Sequence, residues 1–267
     1  MHFQWPCPSQ QHFNYICAIF NNSLMFTLYR KEISGFFSSL IGYIVIIVFL
    51  VANSLFIWVF PGALNIPSSG YASLEPMFTI APWIFLFLVP AITMRLFADE
   101  KKSGTIEVLL TRPLSELQIV IAKYLAGLTL VLFSLIPSLV YFLSVYLLGN
   151  PAGNIDTGGT WGSYTGLFFL AGVYVSIGLF ASSLTENQII SFITALLISF
   201  FFFIGFDAIA SLISSGVLNI LLTGLGINFH YMSISRGVID TRDIIYFVSV
   251  VAAFILFTKI ILESRKW

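Results

Sequence analysis

The residues of this sequence that could do chemistry are concentrated in one short stretch, 98–117. Its charged side chains are acidic and basic in nearly equal number: Asp99, Glu100, Lys101, Lys102, Glu107, Arg112 and Glu116. Carboxylates and amines mixed in this way favour ion pairing and charge-complementary docking. We therefore expect this stretch to recognise a partner rather than to catalyse a reaction.

A short helix is predicted inside this stretch, over 105–111, between Gly104 and Pro113. Pro113 disfavours helix at the residue before it and so ends the helix. Leu109 and Leu110 are predicted to be exposed apolar side chains, and such side chains favour contact with a partner surface. The alternative is a solvated loop whose positive charge only sets the membrane topology.

No other group of residues supports an enzymatic or metal site. Ser163 and His230 are one conceivable nucleophile and base, but serine is common where membrane helices pack, so a packing role is favoured. The cysteines and histidines lack metal-ligand spacing. No phosphate-binding G-x-x-x-x-G-K-[ST] pattern occurs. We therefore predict no catalytic, cofactor-binding or metal-binding residue.

The composition indicates an integral membrane protein. Of 267 residues, 58% are apolar and only 9% are charged, against roughly 25% in an ordinary soluble domain. A soluble chain would need more charged residues to cover its surface, and a disordered chain would be poor in apolar ones. The formal net charge is zero and no basic stripe occurs, so nucleic-acid binding is not expected.

Six apolar runs are long enough to cross a bilayer, which takes about 20 residues each. They are predicted to be helices, because a lone crossing must satisfy its own backbone hydrogen bonds. The fold class is thus an all-α membrane bundle with crossings at about 37–60, 77–97, 118–148, 161–184, 188–213 and 244–262. Capping boxes are predicted at Ser115–Gln118 and at Thr185–Gln188.

The distribution of Lys and Arg predicts the orientation. Ten of these residues flank one side of the six runs, and only Arg236 and Arg242 lie on the other. Because positive residues collect on the cytoplasmic side, both termini are expected in the cytoplasm, and 61–76, 149–160 and 214–243 are expected to face outward.

The N-terminal part divides near Met25. Residues 1–24 differ in composition from the rest, and we expect either an upstream start that cells do not use or a short disordered tail. Residues 25–36 are predicted to form an interfacial elbow helix, carrying Arg30, Lys31 and Glu32. Glu32 falls on its apolar side, where it would snorkel or pair with a basic loop residue.

The outward segment 214–243 contains two apolar pieces, each too short to cross and interrupted by glycines. We predict a pair of short helices that re-enter the membrane; an ordinary surface loop is the alternative. Ionisable residues are confined to the ends of the runs, and even Asp207 lies about 29 Å along its helix from Gln188. An ion-coupled transporter would need carboxylates at mid-depth, so any energy for transport is expected to come from elsewhere.

Residues 100–114, EKKSGTIEVLLTRPL, resemble the E-x-x-x-G-T-x-x-x-L-L-x-x-P signature of ABC-2 type transporter permeases. The resemblance implies a transmembrane domain over 25–267, with 98–117 as the coupling loop that docks on a cytoplasmic ATPase. It assigns the coupling role to Glu100, Gly104, Thr105, Glu107, Leu109, Leu110 and Pro113. ATP and Mg²⁺ would then be bound by the partner, not by this chain.

Further segments, among them 81–84, 97–102 and 162–164, are similar to the gliding-motility-associated branch of this family. The resemblance implies a bacterial inner-membrane permease that works as a homodimer or with a second membrane subunit bearing an extracytoplasmic domain. Its role would be export or force transmission. A non-ABC channel or facilitator and an intramembrane hydrolase are the rival interpretations; a stoichiometric ATPase in a mild-detergent purification would separate them.

Overall fold

The computed structural model describes residues 10–111, 114–213, 216–238 and 240–264, in which no strand occurs. Helix α1 covers Gln10–Phe37, followed by α2 (Leu40–Ser54), α3 (Ile66–Ser69), α4 (Glu75–Thr93), α5 (Arg95–Lys102), α6 (Thr105–Leu110) and α7 (Glu116–Leu148). The remaining helices are α8 (Thr157–Leu184), α9 (Gln188–Phe200), α10 (Phe206–Leu212), α11 (Gly216–Thr223), α12 (Ile227–Ser235) and α13 (Thr241–Glu263).

Six helical segments of this part of the chain are long and apolar enough to cross a membrane, as predicted. They are Gly42–Val59, Glu75–Lys102, Glu116–Leu148, Thr157–Leu184, Gln188–Leu212 and Thr241–Glu263. The first and fifth spans each contain a π-helical segment, Leu55–Val59 and Phe201–Gly205. The third span is one continuous helix across Pro137, and the predicted capping box at its start is present.

The fourth span, α8, is the most enclosed of the six. It contacts α4, α7, α9, α12 and α13. Glycine permits these close approaches: a Cβ on Gly162 would lie 2.7 Å from the Ile234 carbonyl oxygen, and one on Gly178 would overlap the Thr93 hydroxyl. Small residues in this span therefore act in helix packing, as small residues commonly do in membranes.

Within the segment predicted to face outward, the described residues form two short helices, α11 and α12, bent by 74° at a break that contains Gly224 and Gly226. The Tyr231 hydroxyl of α12 donates a hydrogen bond of 2.7 Å to the Phe78 carbonyl oxygen of the second span. That carbonyl lacks its helical partner because Pro82, four residues later, has no N–H. The predicted pair of helices is thus packed against protein at this point.

Helix α1 begins at Gln10 and is longer than the elbow predicted over 25–36. Its two sides differ in exposure: Leu28 and Phe36 are buried, while Thr27 and Lys31 are exposed. The Tyr29 hydroxyl lies 2.9 Å from that of Thr129, which joins α1 to the third span.

The second span extends further than predicted, because α5 continues it to Lys102. Residues 98–102 of the predicted coupling loop are therefore helical. The two helices are joined at Met94, where the Ser182 hydroxyl of α8 donates to the Met94 carbonyl (2.9 Å) and accepts from the Phe97 and Ala98 amides (3.0 and 3.1 Å). These amides belong to the first turn of α5, where helix N–H groups otherwise lack partners.

Candidate coupling site

Four charged side chains meet where α1, α5 and α7 come together: Lys31 and Glu32 of α1, Glu100 of α5 and Lys123 of α7. We call them the Lys123 cluster. The Lys123 side chain is fully buried, and its ammonium lies 2.9 Å from a Glu32 oxygen and 3.0 Å from a Glu100 oxygen. Two ion pairs from one lysine thus hold three helices together.

The Lys123 ammonium has two more contacts. It donates a 2.6 Å hydrogen bond to the Leu96 carbonyl oxygen and lies 5.0 Å from the centre of the Phe97 ring. A buried ion is tolerated only when it is paired and its protons are bonded, because removing it from water is costly. These contacts meet that requirement, and the aromatic face adds a cation–π attraction.

Lys31 closes the cluster on its exposed side. Its ammonium lies 3.2 Å from Glu100 and 3.7 Å from Glu32, and 65% of its side chain is exposed. Partial burial lowers the pKa of Lys31, but the carboxylates of Glu100 and Glu32 outweigh it and raise the pKa above 10.5. The cluster thus combines two basic side chains with two acidic ones.

The position of Glu32 on the apolar side of α1 now has a cause. Of the two predicted alternatives, snorkelling or pairing with a basic loop residue, the structure shows pairing. The nearest partner of Glu32 is Lys123, which lies within the third span and not in a loop. Lys123 was predicted only as one of ten orientation-setting charges. The signal that could have identified it is a lone lysine two turns inside an apolar run.

Gly104 and Thr105 lie where α5 turns into the predicted coupling helix, which is α6. Gly104 has a φ of 69°, in the left-handed region that favours glycine, and allows the chain to reverse between the two helices. The Thr105 hydroxyl lies 2.8 Å from the hydroxyl of Ser103. This geometry gives both residues a structural role in the turn.

Glu107 is exposed on α6, whereas Leu109 is half-buried and packs on the core, contrary to the expectation of an exposed side chain. The exposed apolar residue of this helix is Val108, 59% accessible. Because α6 lies beside α1, the helix turns Leu109 inward and Val108 outward. The Leu110 side chain, and Pro113 as a whole, lie outside the described residues.

A groove of about 400 Å³ runs between α1 and α6. Its walls are mostly apolar, with the Lys31–Glu100 ion pair among the lining residues; the apolar ones are Leu24, Leu28, Val108, Leu109 and Leu114. Glu100 is consequently bound within the chain and does not project to a partner. Arg30, the third predicted elbow residue, is exposed on α1.

Two residues at the start of the predicted loop are also bound within the protein. Lys101 is buried and donates to the Ser183 carbonyl oxygen, and Asp99 pairs with Arg95 (3.3 Å) and accepts from the Gln188 side chain. Gln188 therefore does not complete the capping box predicted with Thr185. Asn187 caps α9 instead, accepting from the Ile189 amide at 2.9 Å.

The conceivable hydrolase pair is not assembled. The Ser163 hydroxyl donates to the Ser235 carbonyl oxygen at 3.1 Å. The two ring nitrogens of His230 lie 2.6 Å from Asp243 and 2.9 Å from the Gly224 carbonyl. Across the described residues, no group of three or more His, Cys, Asp or Glu could hold a metal ion.

Comparison with known proteins identifies the family. Residues 28–225 match the family described as ABC-2 family transporter protein. The chain is also similar to the uncharacterized protein YhcI of Bacillus subtilis (strain 168), 36% identical over 91 residues. That match covers 32% of this chain and only 27% of the relative. With the family match over most of its length and six membrane-spanning helices, the chain belongs to the ABC-2 transporter family and is a multi-pass membrane permease component of an ABC transporter.

Proposed function

We propose that this chain converts ATP hydrolysis by a separate cytoplasmic ATPase into movement of its membrane helices, and that α6 receives the ATPase and passes its movement to α5. The observation that supports this most is the Lys123 cluster. It links α5, which is continuous with the second span, to α1 and to the third span through one fully buried lysine. In this proposal both termini are cytoplasmic.

The proposed movement begins at α6. Because α6 follows α5 after a tight turn at Gly104, a push on α6 displaces α5. Glu100 of α5 then carries the displacement to Lys123 and Lys31, hence to the third span and to α1. Ser182, bonded at the α4–α5 junction, carries it to the fourth span. The first and fifth spans pack on α4, and we expect them to rock against a second protomer or a second membrane subunit.

Val108 is the apolar side chain best placed for the ATPase contact. It is exposed on α6 and lines the groove shared with α1, while Glu107 beside it offers a charge for orientation. Anchors of this kind fill a groove on the partner, and neighbouring charges affect association rate and specificity more than affinity. ATP and Mg²⁺ belong to the partner in this proposal.

Co-purification of the ATPase from mild detergent tests this contact. Val108→Asp puts a charge at the proposed anchor and should weaken binding roughly thirtyfold, as loss of an interface anchor does. Lys102→Ala is the matched control, because Lys102 is exposed at the end of α5 and has no ion pair among the described residues. If Val108→Asp reaches the membrane normally and retains the ATPase as fully as Lys102→Ala, α6 is not the docking element.

The finer role that we propose is export or force transmission linked to gliding motility. It is supported by the similarity of short segments such as 81–84 and 162–164 to that branch. Deletion of this chain in its host should then abolish colony spreading, and spreading should return with the wild type but not with Val108→Asp. Unchanged spreading after deletion would remove the motility role and leave the ATPase contact untouched.

A further inference from the structure

A second polar site lies at the end of the bundle opposite the Lys123 cluster. It is a cavity of about 310 Å³ between the start of α4, the start of α8 and the end of α12, which we call the distal cavity. Its lining includes three charged side chains, Glu75, Asp156 and Arg236. Charge is scarce in this chain, at 9% of residues, so three charges around one cavity require an explanation.

These three charges do not neutralise one another. Among the described residues none of them forms an ion pair, although carboxylates and a guanidinium line the same space. Asp156 uses one oxygen to cap α8, accepting from the Gly159 amide at 3.0 Å. Glu75 and Arg236 are exposed. The cavity therefore offers two negative groups and one positive group that are not paired with one another.

Most hydroxyl groups around the cavity donate their protons to backbone carbonyls, whereas the Ser73 hydroxyl accepts from the Glu75 amide (3.1 Å). Thr79 donates to the Glu75 carbonyl (3.0 Å), Thr160 to that of Asp156 (2.6 Å), Ser163 to that of Ser235 (3.1 Å) and Ser235 to that of Met232 (3.0 Å). Only their oxygen lone pairs are left to face a ligand. Together with the two carboxylates, they make the wall around Glu75 and Asp156 rich in hydrogen-bond acceptors, with Arg236 as the charged donor of the lining.

We propose that the distal cavity binds a phosphoethanolamine group, with its primary ammonium toward Glu75 and Asp156 and its phosphate on Arg236. A primary ammonium supplies three donors to an acceptor-rich wall, and the fork of arginine fits an oxyanion. A ligand with both charges would bridge groups that are not paired with one another in the protein. The cavity lies at the ends of two membrane spans, where lipid headgroups are found. This site is independent of the proposed ATPase contact at the other end.

Native mass spectrometry of the purified full-length chain, mixed with equal amounts of phosphatidylethanolamine, phosphatidylcholine and phosphatidylglycerol, tests the proposal. Phosphatidylcholine has the same charges but no N–H donor, and phosphatidylglycerol has the phosphate without the amine. The wild type should retain the ethanolamine lipid about tenfold better than either, the low end for hydrogen bonds to a charged group. Calorimetry with glycerophosphoethanolamine, which is water-soluble, separates a soluble ligand from a membrane lipid. Binding of this compound indicates a soluble ligand, whereas binding of phosphatidylethanolamine without binding of this compound indicates a membrane ligand.

Three variants locate the site. Glu75→Gln and Asp156→Asn should each reduce the preference for the ethanolamine lipid over the choline lipid. Asparagine at position 156 can still cap α8, so Asp156→Asn keeps the proposal testable if Glu75→Gln fails to fold. Arg236→Gln should lower retention of all three lipids. Arg242→Gln is the control, because Arg242 is exposed on α13 and does not line the cavity. Equal retention of ethanolamine and choline lipids by the wild type, or a preference that survives both carboxylate variants, would overturn the proposal.

Discussion

At one end of the bundle four charged side chains are bonded to one another, whereas at the other end Glu75, Asp156 and Arg236 line a cavity without forming an ion pair. The first arrangement closes on itself around a fully buried ammonium and holds helices together. The second keeps its charges exposed and apart. In a chain with few charges, the pairing of those charges thus distinguishes a mechanical joint from an open binding site.

The strongest way to break this comparison is to remove the central lysine. Lys123→Met leaves two largely buried carboxylates with Lys31 as their remaining cation, and loss of one partner from a buried pair typically costs about 3–5 kcal/mol. Lys31→Met should cost less than about 1 kcal/mol, because exposed pairs contribute little. The free energy of unfolding in mixed micelles measures both. Equal losses in the two variants would show that the cluster is not a joint centred on Lys123.

One contact that holds the distal end is a hydrogen bond between neutral groups, and its contribution can be measured. Tyr231→Phe removes the donor to the buried Phe78 carbonyl and should cost about 1–3 kcal/mol, independently of salt. Pro82→Ala supplies a backbone N–H to the same carbonyl. In that background the cost of Tyr231→Phe should fall by at least half. An undiminished cost would mean that Tyr231 acts through some contact other than this carbonyl.

The smallest expected effect is a change in thermal stability at alkaline pH. The pKa of Lys31 is raised in the folded state, so the pair contributes stability below the ordinary value of 10.5 and loses it as pH rises through the higher folded value. The Tm advantage of the wild type over Lys31→Met should therefore be constant from pH 8 to about 10 and shrink above it. The difference between wild type and Arg236→Gln should not change there, because arginine stays charged. A Lys31 advantage that persists at the highest pH would contradict the raised pKa.

The sequence was sufficient for the elements and insufficient for their contacts. The six spans follow from the length of the apolar runs, the helix at Thr105–Leu110 from the glycine before it, and the capped start of the third span from Ser115. All three signals are local in the sequence. The Lys123 cluster joins Lys123 to Glu32, 91 positions away, and Lys31 to Glu100, 69 positions away, so no local pattern contains it. Leu109 was expected in solvent because the sequence does not show that α1 lies beside α6.

The predicted loop boundary failed for the same reason. The charges at 99–102 are typical of solvent, yet Lys101 is buried against the Ser183 carbonyl and Asp99 binds Gln188. Both partners, Ser183 and Gln188, lie on the hairpin between the fourth and fifth spans. Contacts with this hairpin allow the second span to continue through residues that composition alone assigns to a loop.

Whether translation begins at Met25 stays a prediction, tested by mass spectrometry of the native N-terminus.

The π-helical segments of the first and fifth spans have a consequence for helix phase. The buried residues of these spans recur every fourth position: Val45, Phe49, Asn53 and Ile57 in one, and Ser191, Ala195, Ser199 and Phe203 in the other. In an α-helix each such step overshoots a full turn by about 40°, so a stripe of this period winds around the axis. A π turn contains more residues and rotates less per residue, which brings the stripe back. Phe49 stacks on Phe85, and Phe203 packs edge-on against Trp83. The buried stripes of the first and fifth spans therefore both face the second span, which lies between them. Deleting one residue from Leu55–Val59 or Phe201–Gly205 would convert that π turn to an α turn and change the angle at which the rest of the span faces its neighbour.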